Sequence, residues 1–286
     1  MTEGGSLRKN GFHTDLERLH KFAPCAQVFA VCAETLDRPV EKADAMLRRL
    51  SQEIEENSDI VMLCLNFHDI KKAAESGKVA VFISIEGCEQ ISSLESAYQD
   101  GVRVLHPTWN FDNELCGAAM GSGRGLTENG RAFVKKAQHM GFALDMSHIS
   151  ERGFWDTLEA CEKPVIAGHS NAKALCNVPR NLTDEQFNAL VDVGGGAGIN
   201  LYPEFLGLGK DINAVIAHIE HFLSLGGERS VFLGCDFDGI DSTPTGLDGV
   251  QKLDKLYNEL LNRNYPEALV RALFWDNLYD IMEKML

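Results

Sequence analysis

The sequence has no CxxC pair, no apolar run of 18 residues, no excess of positive charge, no internal repeat and no low-complexity tract, and each absence removes a class of protein. Without CxxC spacing, the eight cysteines at 25, 32, 64, 88, 116, 161, 176 and 235 do not read as a zinc knuckle or redox pair. Scattered through apolar stretches, they read as reduced, buried thiols. The lack of a long apolar run argues against a membrane span. The opening MTEGGSLRKNG has no apolar segment after its basic residues, so neither a secretory signal nor a membrane anchor is expected, and the cytoplasm is the simplest location. Lys and Arg number 27 against 42 Asp and Glu, a formal net charge of -15. That balance disfavours a nucleic-acid partner, because phosphate binding needs cations to displace counterions. No Pro/Gly/Ser linker divides the 286 residues, so one domain over 1–286 is expected.

What is present is alternation. Short apolar runs recur around 9–14 and at 27–33, 79–86, 102–106, 142–148, 164–170, 195–202 and 230–239, which makes eight candidate strands. Between them lie stretches with helical spacing at 41–57, 127–140, 183–193 and 212–225, with Thr127 and Thr183 placed as N-caps. Strands that are continuously apolar are buried on both faces, as in parallel sheets. Eight strand–helix units predict an α/β fold of the (β/α)8 barrel class, with amphipathic helices over about 250–286 packed on its outside.

The polar residues that stand out in this apolar pattern fall at the C-terminal ends of predicted strands, where barrels of this class build their active sites. His13 and Asp15 end the first, Glu86 the third, His148 the fifth, His169 the sixth and Asp236 the eighth. His13 and Asp15 are two apart, so in an extended chain their side chains point the same way. Glu86 ends VAVFISIE, where a carboxylate emerging from an apolar interior needs a cation or an arginine partner. Imidazole nitrogen and carboxylate oxygen suit zinc, with manganese, iron and cobalt allowed by ligand type. Five protein ligands are too many for one open catalytic ion. They suit two ions about 3.5–4 Å apart bridged by one carboxylate, for which Glu86 is the natural choice. Such a centre lowers the proton affinity of a bridging water and generates hydroxide near neutral pH, with Asp236 placed to relay its proton. Asp238 is the weaker candidate, better suited to capping a turn. His20, His68, His139, His218 and His221 fall outside the pattern.

These residues carry a resemblance to the membrane (renal) dipeptidase family of the amidohydrolase superfamily. It runs through FHTDL at 12–16, ISIEG at 83–87, the segment from Gly125 to Ser150, the segment from Pro164 to Gln186, GINLYPEFL at 198–206 and GCDFDG at 234–239. The resemblance implies that His13 and Asp15 hold one zinc, His148 and His169 the other, that Glu86 bridges them, that Asp236 transfers the proton, and that Arg180 in VPRNL binds the substrate carboxylate. In HPTWNFDN, Trp109 stands where many members carry a histidine that polarises the scissile carbonyl; His106, three residues earlier, differs in its place in the extended run. Trp109 is therefore expected to line the substrate pocket.

The expected function is a zinc dipeptidase that cleaves short peptides with a free C-terminal carboxylate, D-residues included. Two rivals stand beside it: another amide, ester or lactone hydrolase using the same centre, and a non-catalytic barrel relative. A homodimer is left open.

Overall fold

In the computed structural model of the protein, which describes residues 5–207 and 209–286, the chain divides into two compact units. The first comprises the residues up to Gly11, Asp15–Glu162 and Met285–Leu286, and the second Phe12–Thr14 and Lys163–Lys284. The first four residues of the polar opening lie outside the described part.

The first unit alternates helix and strand: α1 Leu16–His20, β1 Ala26–Val31, α2 Pro39–Glu56, β2 Val61–Leu63, α3 His68–Glu75, β3 Val79–Glu86, α4 Leu94–Gln99, β4 Val102–His106, α5 Glu128–Met140, β5 Ala143–Leu144 and α6 Glu151–Ala160. Its five strands are parallel and organised on β3. β2 pairs with residues 79–81, β1 with 80–85 and β4 with 83–86. Every residue of β3 before Glu86 is buried, which explains why all of them but Ser84 are apolar. Thr127 caps α5 as its spacing predicts, accepting from the Gly130 N–H.

One expectation is corrected here. Residues 9–14 form no strand; β2, a three-residue strand passed over in the sequence, stands in the count instead. The reason is local. The segment KNGFHTD is rich in turn formers, and the N–H groups of His13 and Thr14 donate to the Asp238 carboxylate (2.7 and 3.2 Å) rather than to a neighbouring strand.

The second unit holds β6 Ile166–Ala167, α7 Asp184–Asp192, β7 Gly196–Ile199, α8 Pro203–Leu206, α9 Ile212–Ser224, β8 Val231–Leu233, α10 Leu253–Asn262, α11 Glu267–Arg271 and α12 Asn277–Met285. The parallel order is β6-β7-β8. Phe187 of α7 stacks on Phe222 of α9 with centroids 4.1 Å apart. Thr183 and Gln186 close a capping box at the start of α7. Glycine is required at the strand ends: a Cβ on Gly198 or on Gly234 would drive into the Gly168 carbonyl, so β6, β7 and β8 approach closely only because these positions carry no side chain. Among the described residues, no helix is long and apolar enough to cross a membrane.

His218 of α9 is fully buried; its Nδ1 accepts from the Ala172 N–H (3.1 Å) and its Nε2 lies 3.2 Å from the Leu206 carbonyl. Burial pushes its pKa from 6.5 down to about 4. The unfolded chain therefore binds this proton more readily than the folded one, so the contribution is complete above pH 6.5 and is lost as the pH falls towards 4. Thermal melts are expected to show a drop in Tm between pH 6.5 and 4 that is smaller in a His218→Gln variant; an identical drop in both would assign the pH dependence elsewhere.

Candidate active site

In the first unit Glu86 ends β3, and Gly87 at φ +98° turns the chain away immediately afterwards, a conformation that favours glycine. Strand register sets Glu86 directly opposite His106 on β4. The two oxygens of Glu86 face different imidazoles: Oε1 lies 3.8 Å from His106 Nε2, and Oε2 lies 3.8 Å from His148 Nε2. Both separations exceed hydrogen-bond length. Two ligands about 2.0–2.2 Å from a shared tetrahedral ion would stand roughly 3.3–3.6 Å apart, so these donors fit a divalent cation. A carboxylate with its oxygens aimed at separate imidazoles also has the form of a bridging ligand.

One of the imidazoles is oriented from behind. His148 follows β5 and is buried, with Nδ1 3.1 Å from the Asn110 side-chain oxygen. That contact places the proton on Nδ1 and turns the Nε2 lone pair toward Glu86. His106 Nδ1 lies 3.6 Å from Asp145 Oδ1, which itself accepts from the Ser147 N–H (2.9 Å) and hydroxyl (2.6 Å). Cys88 donates its thiol to the His106 carbonyl (3.2 Å), and burial raises its pKa well above the usual thiol range, so it serves as a protonated brace. The ring of Trp109 packs against Phe111 (5.4 Å) and lies 6.4 Å from that of His148. His106, which the sequence pattern had set aside, thus stands beside Glu86, whereas Trp109 borders His148.

Asp15 takes a different set of partners. It caps α1, its Oδ1 accepting from the Arg18 N–H (2.8 Å), while Oδ2 accepts from Arg18 Nε (2.8 Å) and the Asn10 N–H (3.3 Å). The extended strand assumed for the His13–Asp15 pair is absent.

In the second unit His169 comes two residues after β6, and Asp236 three residues after β8. Asp236 Oδ2 accepts from Asn200 Nδ2 (3.0 Å), whose amide also donates to the His169 carbonyl (3.2 Å). Asp236 and Asp238 both lie in the left-handed region, at φ +58° and +69°. Asp238 holds the His13 segment: besides accepting the two N–H groups described above, it donates its own N–H to His13 Nδ1 (3.2 Å). Arg180 is buried, with its guanidinium carbon 5.5 Å from the centroid of the Phe205 ring. Asn200, Asn110, Asp145 and the clamp formed by Asp238 escaped the sequence reading. An asparagine closing the apolar run GGAGIN and an aspartate inside FALDM were the available signals.

Imidazoles and carboxylates set just beyond parallel strands define the class: a metal-dependent hydrolase. The chain belongs to the membrane dipeptidase family (peptidase family M19), whose pattern matches residues 4–285. It is 33% identical over 264 residues to a Klebsiella pneumoniae protein described as an uncharacterized protein in the pqqA 5' region, covering 86% of this chain and 97% of that one. It is similar to a metallo peptidase from Rhodobacter sphaeroides solved with a phosphinate mimic of the dipeptide L-Ala-D-Ala, with a TM-score of 0.89, 25% identity, and coverage of 97% of this chain and 92% of that one. A dipeptidase AC of family M19 gives a TM-score of 0.88 at 26% identity, over 97% of this chain and 90% of that one. The probable dipeptidase PvdM from Pseudomonas aeruginosa, at 16% identity and a TM-score of 0.91 over 99% of this chain and 92% of that one, shares the fold. The fold class is accordingly the (β/α)8 barrel, and the protein is a metallo-dipeptidase.

Proposed function

We propose that the protein is a zinc dipeptidase that holds two ions through His13, Asp15, Glu86, His148 and His169 and cleaves dipeptides with a free C-terminal carboxylate, D-residues included. The observation that supports a cation at this centre is the placement of Glu86 Oε2 3.8 Å from His148 Nε2, beyond hydrogen-bond length and close to the spacing of two ligands on one ion. The D-residue reading is supported by the L-Ala-D-Ala mimic held by the Rhodobacter relative. Bound divalent ions supply Lewis acidity and a water of lowered proton affinity.

The chain's own residues do the rest. Arg180 pairs with the substrate carboxylate through its planar fork, fixing the register of the peptide. Trp109 lines the pocket beside His148. As the C–O bond forms and the amide C–N bond breaks, Asp236 accepts the proton of the attacking water and delivers it to the leaving nitrogen.

The test is a panel of Ala-Ala stereoisomers with free and amidated C-termini. Native enzyme is expected to favour the free acids. A charge-assisted bidentate pair contributes about 1.5–3 kcal/mol, so Arg180→Lys is expected to lower kcat/KM on free dipeptides by roughly 10- to 150-fold and to leave the slow amidated substrates nearly unchanged. Equal losses on both substrate types would make Arg180 structural and remove carboxylate recognition from its role.

A further inference from the structure

Asn200 directly follows β7 and is fully buried. Its two amide hydrogens have two acceptors, Asp236 Oδ2 at 3.0 Å and the His169 carbonyl at 3.2 Å, and its Oδ1 accepts from the Tyr202 N–H at 2.6 Å. Two backbone groups fix the orientation of this amide, since a carbonyl only accepts and an N–H only donates. Turning the amide over would set donor against donor at Tyr202 and acceptor against acceptor at His169. Asp236 Oδ2 therefore always meets a donor.

Asn200 is itself held. Its N–H donates to Asn171 Oδ1 (2.9 Å), and its carbonyl accepts from Asn171 Nδ2 (2.9 Å). The Asn171 N–H in turn donates to Asn181 Oδ1 (3.2 Å), and Asn181, the neighbour of Arg180, donates to the carbonyls of Cys176 and Phe205 (2.9 Å each). None of the three asparagines is more than 2% exposed. In a dry interior such a satisfied network is rigid, and breaking one member leaves the others unpaired. The left-handed backbone at Asp236 (φ +58°) sets where its side chain begins, and Asn200 sets where one oxygen ends.

We propose that Asn200, braced by Asn171, is a positioning residue that holds the Asp236 carboxylate by Oδ2 in the orientation its proton transfer requires. This rests on the reading of Asp236 as the proton carrier. A neutral amide suits the task. It orients the carboxylate without a formal positive charge that would hold it ionised, so Asp236 keeps the capacity to take up and release a proton.

The experiment measures kcat, KM and zinc content on L-Ala-D-Ala and L-Ala-L-Ala for zinc-loaded Asn200→Ala, Asn200→Ser, Asp236→Asn and the double variant Asn200→Ala/Asp236→Asn. Asn200→Ala is expected to lower kcat by about 10- to 100-fold with KM and zinc content nearly unchanged. In the Asp236→Asn background the same change is expected to cost less than about threefold, because the group being positioned is already disabled. Equal losses in both backgrounds, or a loss confined to KM or to zinc content, would overturn the proposal alone. Full turnover by Asp236→Asn would overturn the proton-carrier reading and the proposal with it. Asn171→Ser leaves the Asn200 amide in place and removes its brace. It is expected to give a smaller loss with the same background dependence, and it decides the matter by the same criteria if the Asn200 variants do not fold.

Discussion

Dialysis against a chelator is expected to reduce dipeptide hydrolysis to background, and added zinc to restore it with two ions bound per chain. The expectation follows from the donor chemistry around Glu86. The Glu86 carboxylate and the His148 imidazole, 3.8 Å apart and the imidazole held from behind by Asn110, are arranged to share a cation rather than to bond one another. Glu86→Gln keeps the shape and removes the charge, so both ions should be lost together, with turnover following them. His148→Ala should weaken mainly one. Elemental analysis of purified and reconstituted protein checks both statements. One ion per chain with full activity would sink the binuclear model.

Asp236→Asn is expected to lower turnover by about 10²–10⁴-fold, the usual contribution of a positioned general acid or base, while the metals stay bound. Asparagine can still accept from Asn200, so geometry survives and only the capacity to take a proton is lost. The natural control is Asp238, two residues away, and the structure separates the two. Both oxygens of Asp238 are engaged by backbone N–H groups of the His13 segment. Asp238→Asn would set an NH₂ group against one of those donors, loosening His13 and with it zinc retention. Its activity should then recover with excess zinc, whereas that of Asp236→Asn should not. Should Asp238→Asn abolish activity with both ions in place while Asp236→Asn stays within a few-fold of native, the roles are reversed.

Features written locally were legible in the sequence. Glu86 announced itself because a carboxylate ending seven buried residues, six of them apolar, has few bland explanations. Thr127 and Thr183 were legible because capping depends on residues three apart. What escaped was written between distant segments. The place of His106 follows from β3–β4 register, which no spacing within HPTWNFDN discloses. The absent strand at 9–14 has the same origin, since its N–H groups are taken by a carboxylate more than 200 residues away. Asn200 escaped because a neutral amide gains meaning only from what it touches, and β2 because three residues make too short a run to count.

The glycines behind Asn200, His169 and Asp236 bear on how this scaffold could be given new substrates. Gly168, Gly198 and Gly234 meet backbone to backbone, so any side chain at 198 or 234 is spent on collision before it reaches a ligand. A directed-evolution library that randomises these positions would fill with misfolded members. Diversity is better placed at the exposed Leu175, or at Met120 and Phe111 in the long loop after β4, where a new side chain displaces water instead of backbone.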